Sequence, residues 1–505
     1  MNNPWQHFSR GFNHSPLPVM AQQRDWLIKC LRLNQDCAYG KRYNFADIRQ
    51  VEDFQNAVPI VDYETLRPWI DQMAEGQIDQ LFSGDTLAFE TTGGSHSGGK
   101  LIPYSSAGLN DFRYALLNWL AQLMSQFELA QGTAYWALSP AAAKPRTTAG
   151  GVVIGGGDAI YLGSDNLMAF AQMSAVPLSL GQVADIDDWQ LLTLYYLICS
   201  PDLRLISIWS PSFLLQLLEG LQVKKKALLT LLTQGSDIAG HLLAANSTAA
   251  LNYKHFLASG KTEYLWPELK VISCWADASS KPLSVQLMHH FPSVYLQPKG
   301  LLSTEAVITT PNQQNQQQLC IGSNFYEFMD GNGEVYLADA LTIGNSYQVI
   351  VTTNSGLYRY NTADMVQCIG YQNDIPILSF IGRSGVISDL VGEKLTEPFV
   401  NRCLSEISGF AMLCPDYQAM GYVLLLDNTD CREIKLLVTL IERRLCNNPQ
   451  YAYARQLSQL SPLTGQLVES PVSRYLSWQY AQGKRLGDVK VPGLLTYGDY
   501  QKIFK

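Results

Sequence analysis

Apolar positions along the chain change period several times, and the changes mark its elements. Over residues 19–36 they recur at helical spacing, with Trp26, Leu27, Cys30, Leu31 and Leu33 forming one face. Asp47–Ala57 predicts a second, short helix. The extended link Val58-Pro59-Ile60-Val61-Asp62-Tyr63 follows, and its Asp62 is placed to cap a helix over Tyr63–Ala74. Thr86-Leu87-Ala88-Phe89 reads as a strand. Ser105-Ser106-Ala107-Gly108 signals a helix start, and Phe112–Phe127 is strongly apolar at helical spacing. Strand patterns at 135–138, 205–209, 269–275 and 294–296 then alternate with helical ones at 185–200 and 211–233, which implies an α/β arrangement with a largely parallel sheet. From Phe325 to Ile369 strands and turns dominate, implying an antiparallel portion. The polar run 312–318 is expected to face solvent.

After about Gly382 the pattern becomes a smaller α+β unit, with a strand at Met420–Leu426 and a helix at Cys431–Leu445. The expected fold is therefore α/β: a large domain over residues 1–383, with mixed sheets flanked by helices and a β-rich portion, and a small α+β domain over 384–505. The length fits more than one unit, since about 150 residues is the usual size of one. Hydrophobic residues at 47% against 16% charged supply enough material for large cores.

A net charge of −8, from 36 basic and 44 acidic residues, argues against a nucleic-acid surface. No run reaches the ~20 apolar residues of a membrane span, and the N-terminal residues lack an apolar signal core. The ten cysteines form no C-x-x-C pair and no His lies at zinc-ligand spacing from a Cys pair. They read as reduced thiols of a cytoplasmic protein with neither nucleic-acid nor membrane partners.

The candidate chemistry starts at Thr91-Thr92-Gly93-Gly94-Ser95-His96-Ser97-Gly98-Gly99-Lys100, directly after the Thr86–Phe89 pattern. Glycines let backbone N–H groups approach an anion, hydroxyls add donors and a lysine adds a point charge, the composition of a polyphosphate cradle or of a plain Gly/Ser surface loop. Gly94 to Lys100 fits the G-x-x-x-x-G-K spacing of a nucleotide-binding P-loop. Leu101 then stands where that motif needs a magnesium-binding hydroxyl, and Pro103 where it needs a helix to run on. The loop is expected to lead into extended chain. Gly150–Gly157 is a second glycine-rich segment around a strand, without the helix that a dinucleotide loop requires.

Three further strings follow in order. Lys299-Gly300-Leu301-Leu302-Ser303-Thr304-Glu305-Ala306 puts a carboxylate suited to magnesium after a strand and turn. Leu357-Tyr358-Arg359-Tyr360-Asn361-Thr362-Ala363-Asp364 and Phe380-Ile381-Gly382-Arg383 come next, followed by Gly392-Glu393-Lys394-Leu395. With Val58–Glu64, Leu265–Leu269 and Phe325–Phe328, these strings resemble the Gretchen Hagen auxin-responsive family of acyl-acid amido synthetases, its bacterial branch in particular, within the acyl-adenylate-forming superfamily. The resemblance covers about residues 20–495.

The resemblance implies a ligase that binds ATP, Mg2+ and a small carboxylic acid, forms an acyl-adenylate with release of pyrophosphate, and passes the acyl group to an amino acid or other amine. It also implies a small domain that rotates between the two half-reactions. Carried over by position, Thr91, Thr92, Gly93, Ser95 and Lys100 fall in the phosphate loop, and Glu305 on the magnesium ligand. Ser303 and Thr304 fall near the adenine and acyl group, and Asp364 on the ribose. Arg383 matches a ribose or phosphate contact at the hinge. Lys490, in Asp488-Val489-Lys490-Val491-Pro492, matches the lysine that stabilises charge during adenylation, with Lys484 as competing candidate. The chain departs from the family at Gly94, Ser97, Ala306, Asn361 and Ala363. Delivery to a thiol such as coenzyme A, and a non-catalytic binding protein, stay open as alternatives.

Overall fold

The computed structural model describes residues 17–92, 100–137, 146–155, 164–428, 434–484, 486–496 and 500–504. The chain divides into two compact units: residues 1–127, 143–172 and 299–380 form the first, and residues 128–142, 173–298 and 381–505 the second.

In the first unit the opening helix is Val19–Leu33. Leu27, Cys30 and Leu31 are buried as the spacing requires, but Leu33 is exposed where the chain leaves the helix. The fully buried polar residue on that face is Gln23. Its amide donates to the carbonyls of Ile321 (2.7 Å) and Asn324 (2.8 Å), and its carbonyl accepts from Tyr326 N–H (2.9 Å), so burial leaves nothing unpaired. Asp62 caps the Tyr63–Ala74 helix through Thr65 N–H at 3.0 Å. The helix expected over Asp47–Ala57 is a 3-10 turn, Phe45–Asp47, followed by a helix, Val51–Ala57.

Two sheets complete this unit. One orders its strands Leu101–Tyr104, Ala88–Thr91, Val153–Ile154 and Arg146–Thr147. The second glycine-rich segment thus supplies the neighbour of the strand that enters the first, with Phe89 opposite Ile154. The other sheet has seven strands, including Phe325–Met329, Ser346–Thr352, Tyr360–Gln372 and Ile375–Arg383. Asn373 and Asp374, both at positive φ, make the two-residue turn between its last two strands. The polar run 312–318 is less exposed than expected. Asn312 is buried because its side-chain oxygen accepts from Gln314 and Gln316 N–H, both at 2.9 Å, and Gln317 is buried because it opens a strand of this sheet.

The second unit is built on a parallel sheet in the order Tyr295–Pro298, Val271–Cys274, Leu203–Ser207 and Thr133–Trp136. Helices cross between successive strands, and burial on both faces explains the unbroken apolar runs. The single helix expected over 211–233 is two, Pro211–Val223 and Lys225–Gln234, meeting at Lys224, which pairs with Asp187 at 2.5 Å. His290 is the C-cap residue of the Lys281–His289 helix.

Residues 381–505 contribute the antiparallel pair Ala411–Asp416 and Gly421–Asp427 to this unit, with Thr464–Val468 parallel alongside. Met412, Cys414, Val423 and Leu425 enter the core shared with residues 173–298, while Leu413, Tyr422, Leu424 and Leu426 enter a separate core with the helices that follow. Alternate residues thus serve two cores, so every position from Gly421 to Leu426 is buried. The nine described cysteines are free thiols. No helix among the described residues is long and apolar enough to cross a membrane.

Candidate active site

The strands on either side of the glycine-rich loop pair with each other. Ala88–Thr91 and Leu101–Tyr104 pair antiparallel, with Thr91 opposite Leu101, and Thr92 N–H donates to the Lys100 carbonyl at 3.0 Å to close the base. The extended exit required by Leu101 and Pro103 is therefore present, and the helix of a P-loop is not. Gly93 and Ser95, with the rest of residues 93–99, lie outside the described residues. Lys100 sits at the base, its ammonium 5.3 Å from the centre of the Tyr63 ring. Tyr63 is buried beside it and accepts from Leu101 N–H at 2.9 Å. Burial raises the Tyr63 phenol above its ordinary range, so it stays a neutral platform for the cation.

The strand leaving the loop ends at Tyr104, and its hydroxyl donates to the Thr304 carbonyl at 2.5 Å. Thr304 and Glu305 are the middle of a tight turn. Leu302 and Val307 bridge antiparallel, Ser303 N–H donates to Ala306 O at 3.0 Å, and Ala306 N–H donates to Ser303 Oγ at 3.2 Å. Ser303 thus shapes the turn with its own side chain. Beyond it, Tyr326 donates to the Val307 carbonyl at 2.6 Å. Glu305 is half-buried and lines a cavity with Tyr104, Gly108, Phe112, Asn324, Thr353 and Ser355. Gly108 is required there: a Cβ at that position would lie 1.9 Å from Ser355 Oγ.

Asp364 projects from a bulge. Asn361 pairs with Ile350 and Met365 with Gln348, so Thr362, Ala363 and Asp364 stand against Val349 alone. Ala363 takes φ +63°, the left-handed region that favours glycine. Asn361 supports it, its side-chain oxygen accepting Ala363 N–H at 2.9 Å and its amide donating to Gln348 at 2.8 Å. The two departures from the family pattern before Asp364 are thus structurally coupled. Asp364 N–H donates to Thr362 Oγ1 at 3.1 Å.

Arg359, just upstream, makes a buried fork-to-fork pair with Glu327 at 3.0 and 2.9 Å, and donates to the carbonyls of Gln55 and Val58 at 2.8 and 2.9 Å. Both side chains are at most 8% exposed. Three strings singled out in the sequence, around Val58, Glu327 and Arg359, are therefore one ion-pair network that fixes the start of the Asp364 strand.

Arg383 and Lys490 belong to the second unit. Arg383 follows Gly382, at φ +136°, and its N–H donates to Glu397 Oε2 at 3.2 Å. The ammonium of Lys490 lies 4.4 Å from the centre of the Trp275 ring. Lys484 is partly buried, which lowers its pKa. The nearby Gly392–Leu395 string is structural: buried Glu393 accepts from Leu390 and Val391 N–H at 2.8 Å each and from the Tyr422 hydroxyl.

The contacts Tyr63–Lys100, Tyr104–Thr304, Trp275–Lys490 and Arg359–Glu327 are not legible in the sequence residue by residue. Each joins an aromatic or charged side chain to a partner far away in sequence. The signal available was the order of the strings.

Comparison with known proteins agrees. The GH3 family N-terminal domain matches residues 12–296, and the GH3 family central domain matches residues 318–383. An indole-3-acetic acid-amido synthetase of Arabidopsis thaliana, GH3.10, is 24% identical over 465 residues, covering 79% of this chain and 76% of its own. A jasmonoyl–L-amino acid synthetase of Oryza sativa subsp. japonica, GH3.5, is 20% identical over 437 residues, covering 77% and 74%. Among solved structures, GH3.15 acyl acid amido synthetase superposes with a TM-score of 0.83 at 19% identity, covering 96% of this chain and 93% of that one. 2-Hydroxyisobutyryl-CoA ligase follows at 0.58 and 11%, covering 96% and 91%. The structural likenesses give the fold; the family domains, the first of which alone spans more than half of the residues, establish that the chain belongs to the GH3 family.

Proposed function

We propose that this protein is an AMP-forming ligase that joins a small carboxylic acid to an amino acid or other amine through an acyl-adenylate. The observation that carries the reading is the Tyr104–Thr304 hydrogen bond, which ties the exit of the glycine-rich loop to the turn bearing Glu305. A phosphate-binding loop and a metal-binding carboxylate are thereby held on one scaffold, as attack at a nucleotide phosphorus demands.

In this reading the acid's carboxylate oxygen attacks the α-phosphorus of ATP, and pyrophosphate leaves. Thr91, Thr92, Gly93, Ser95 and Lys100 hold the phosphates and lower the repulsion met by the incoming anion. Ser303 and Thr304 border the adenine and acyl group, Asp364 accepts the ribose hydroxyls, and Arg383 contacts ribose or phosphate. Glu305, a half-buried carboxylate on a hydrogen-bonded turn, suits Mg2+, which binds through one or two carboxylates plus substrate phosphates and would neutralise phosphate charge. Lys490 stabilises charge as the adenylate forms. The amine then attacks the activated carbonyl and AMP departs. We place the mobile small domain at residues 384–505, with the hinge near Arg383, and the protein in the cytoplasm, where its free thiols would persist.

The test is pyrophosphate release with ATP and Mg2+ against benzoate, indole-3-acetate, jasmonate, hexanoate and octanoate, with hydroxylamine as amine trap. Acid-dependent pyrophosphate with matching hydroxamate, both lost in Glu305→Ala and Asp364→Ala, supports the reading. Thioester formation with coenzyme A in preference to the amide would move the second half-reaction to a thiol. ATP binding without pyrophosphate from any acid would leave a binding protein.

A further inference from the structure

Trp209 and Trp275 stand at the carboxyl ends of adjacent parallel strands, Leu203–Ser207 and Val271–Cys274. Ligands of parallel sheets gather at this edge. Trp275 N–H donates to the Trp209 carbonyl at 2.8 Å, and the two rings are 5.8 Å apart and tilted by 39°. The Lys490 ammonium lies over the Trp275 ring at 4.4 Å from its centre.

The lysine does not arrive there by side-chain choice alone. Val489 and Val491 on either side of it are buried in the core of this unit, so alternation turns Lys490 the other way. Leu413 N–H donates to the Gly493 carbonyl and Leu495 N–H to the Leu413 carbonyl, both at 2.9 Å, which pins the segment just beyond. Asp277, two residues after Trp275, adds a carboxylate that senses both Lys490 and Lys281.

We propose that Trp275 is a positioning residue for Lys490: its indole face docks the ammonium and presents it for the adenylation half-reaction. This rests on the reading of Lys490 as the adenylation lysine. The tilted contact with Trp209 supports the indole, and the flanking valines keep the lysine aimed at it. A cation held over an aromatic face keeps its charge while its position is fixed.

The test separates the half-reactions. Acid-dependent ATP–pyrophosphate exchange, with the most active acid of the panel above, reports adenylation; hydroxylaminolysis of the synthetic adenylate of that acid reports transfer. Trp275→Leu is expected to lower the exchange kcat about 3- to 30-fold, the range of a cation–π contact, and to leave transfer unchanged. Trp275→Phe, which keeps an aromatic face, is expected to recover most of the loss. In a Lys490→Ala background, Trp275→Leu is expected to add nothing. An equal further loss in that background, a rise confined to the KM for ATP, or equal damage to both half-reactions would overturn the proposal, because Trp275 would then act on the nucleotide or the fold. If Lys490→Ala leaves exchange intact, the adenylation-lysine reading fails first and this inference with it, whatever Trp275 does.

Discussion

The Tyr104 hydroxyl donates to the Thr304 carbonyl across 200 residues of sequence, at 2.5 Å. It is the point where the loop hairpin grips the Glu305 turn. Tyr104→Phe removes the donor, keeps the ring and leaves a carbonyl without that partner, a change of about 1–3 kcal/mol. Adenylation kcat is expected to fall about 10-fold or more while the fold persists. Pyrophosphate-release kinetics beside a thermal melt checks this: unchanged kinetics would mean that the turn holds Glu305 unaided.

Ala363 adopts φ +63° immediately before Asp364. A non-glycine residue there costs about 1–2 kcal/mol. Ala363→Gly is expected to recover part of that, because glycine also gains freedom in the unfolded chain. The expected result is a gain of up to about 1 kcal/mol in urea unfolding with activity retained. A loss of stability would show that Asn361 already relieves the strain.

The Arg359–Glu327 pair is buried and forked. Removing one partner of such a pair costs about 3–5 kcal/mol, since the other charge stays buried. Glu327→Ala should therefore lower the urea midpoint strongly, with Arg359→Lys also damaging because lysine cannot make the fork. A neutral Glu327→Ala would refute the structural role assigned to both strings.

Asp111 belongs to the helix Ser106–Gln126, which borders the cavity through Gly108 and Phe112, and its carboxylate accepts from Asn354 at 2.7 Å. Burial pushes its pKa up to about 7, against smaller lowering from hydrogen bonds with Asn354 and Trp26. The folded state therefore holds this proton to higher pH than the unfolded state. The stability contributed by Asp111 is full below the ordinary carboxylate range, falls as pH rises from about 4 to about 7, and is level above that. Asp111→Asn is expected to flatten the stability profile in this window, as read by melting temperature against pH. An unchanged slope would mean that the carboxyl titrates normally.

Much of the fold could be read from the chain because its strands are either doubly buried or alternate cleanly. The run Tyr422–Leu426 was legible as a strand for that reason, although nothing in it said that its two faces serve different cores. The Lys224 break was hidden because apolar spacing continues through it. At the site, Leu101 and Pro103 were enough to reject a P-loop, since both act on the local backbone. The grip of Tyr104 on Thr304 and the dock of Lys490 on Trp275 were not legible, because neither partner carries a local pattern that names the other.

The central claim is that the acid is activated as an adenylate. Its most direct test is oxygen transfer from a carboxylic acid labelled with oxygen-18 in its carboxylate, with hydroxylamine as acceptor and AMP analysed by mass spectrometry. Attack of the carboxylate on the α-phosphorus predicts one labelled oxygen in AMP for each hydroxamate formed. Label in orthophosphate with ADP as co-product, or unlabelled AMP, would contradict it.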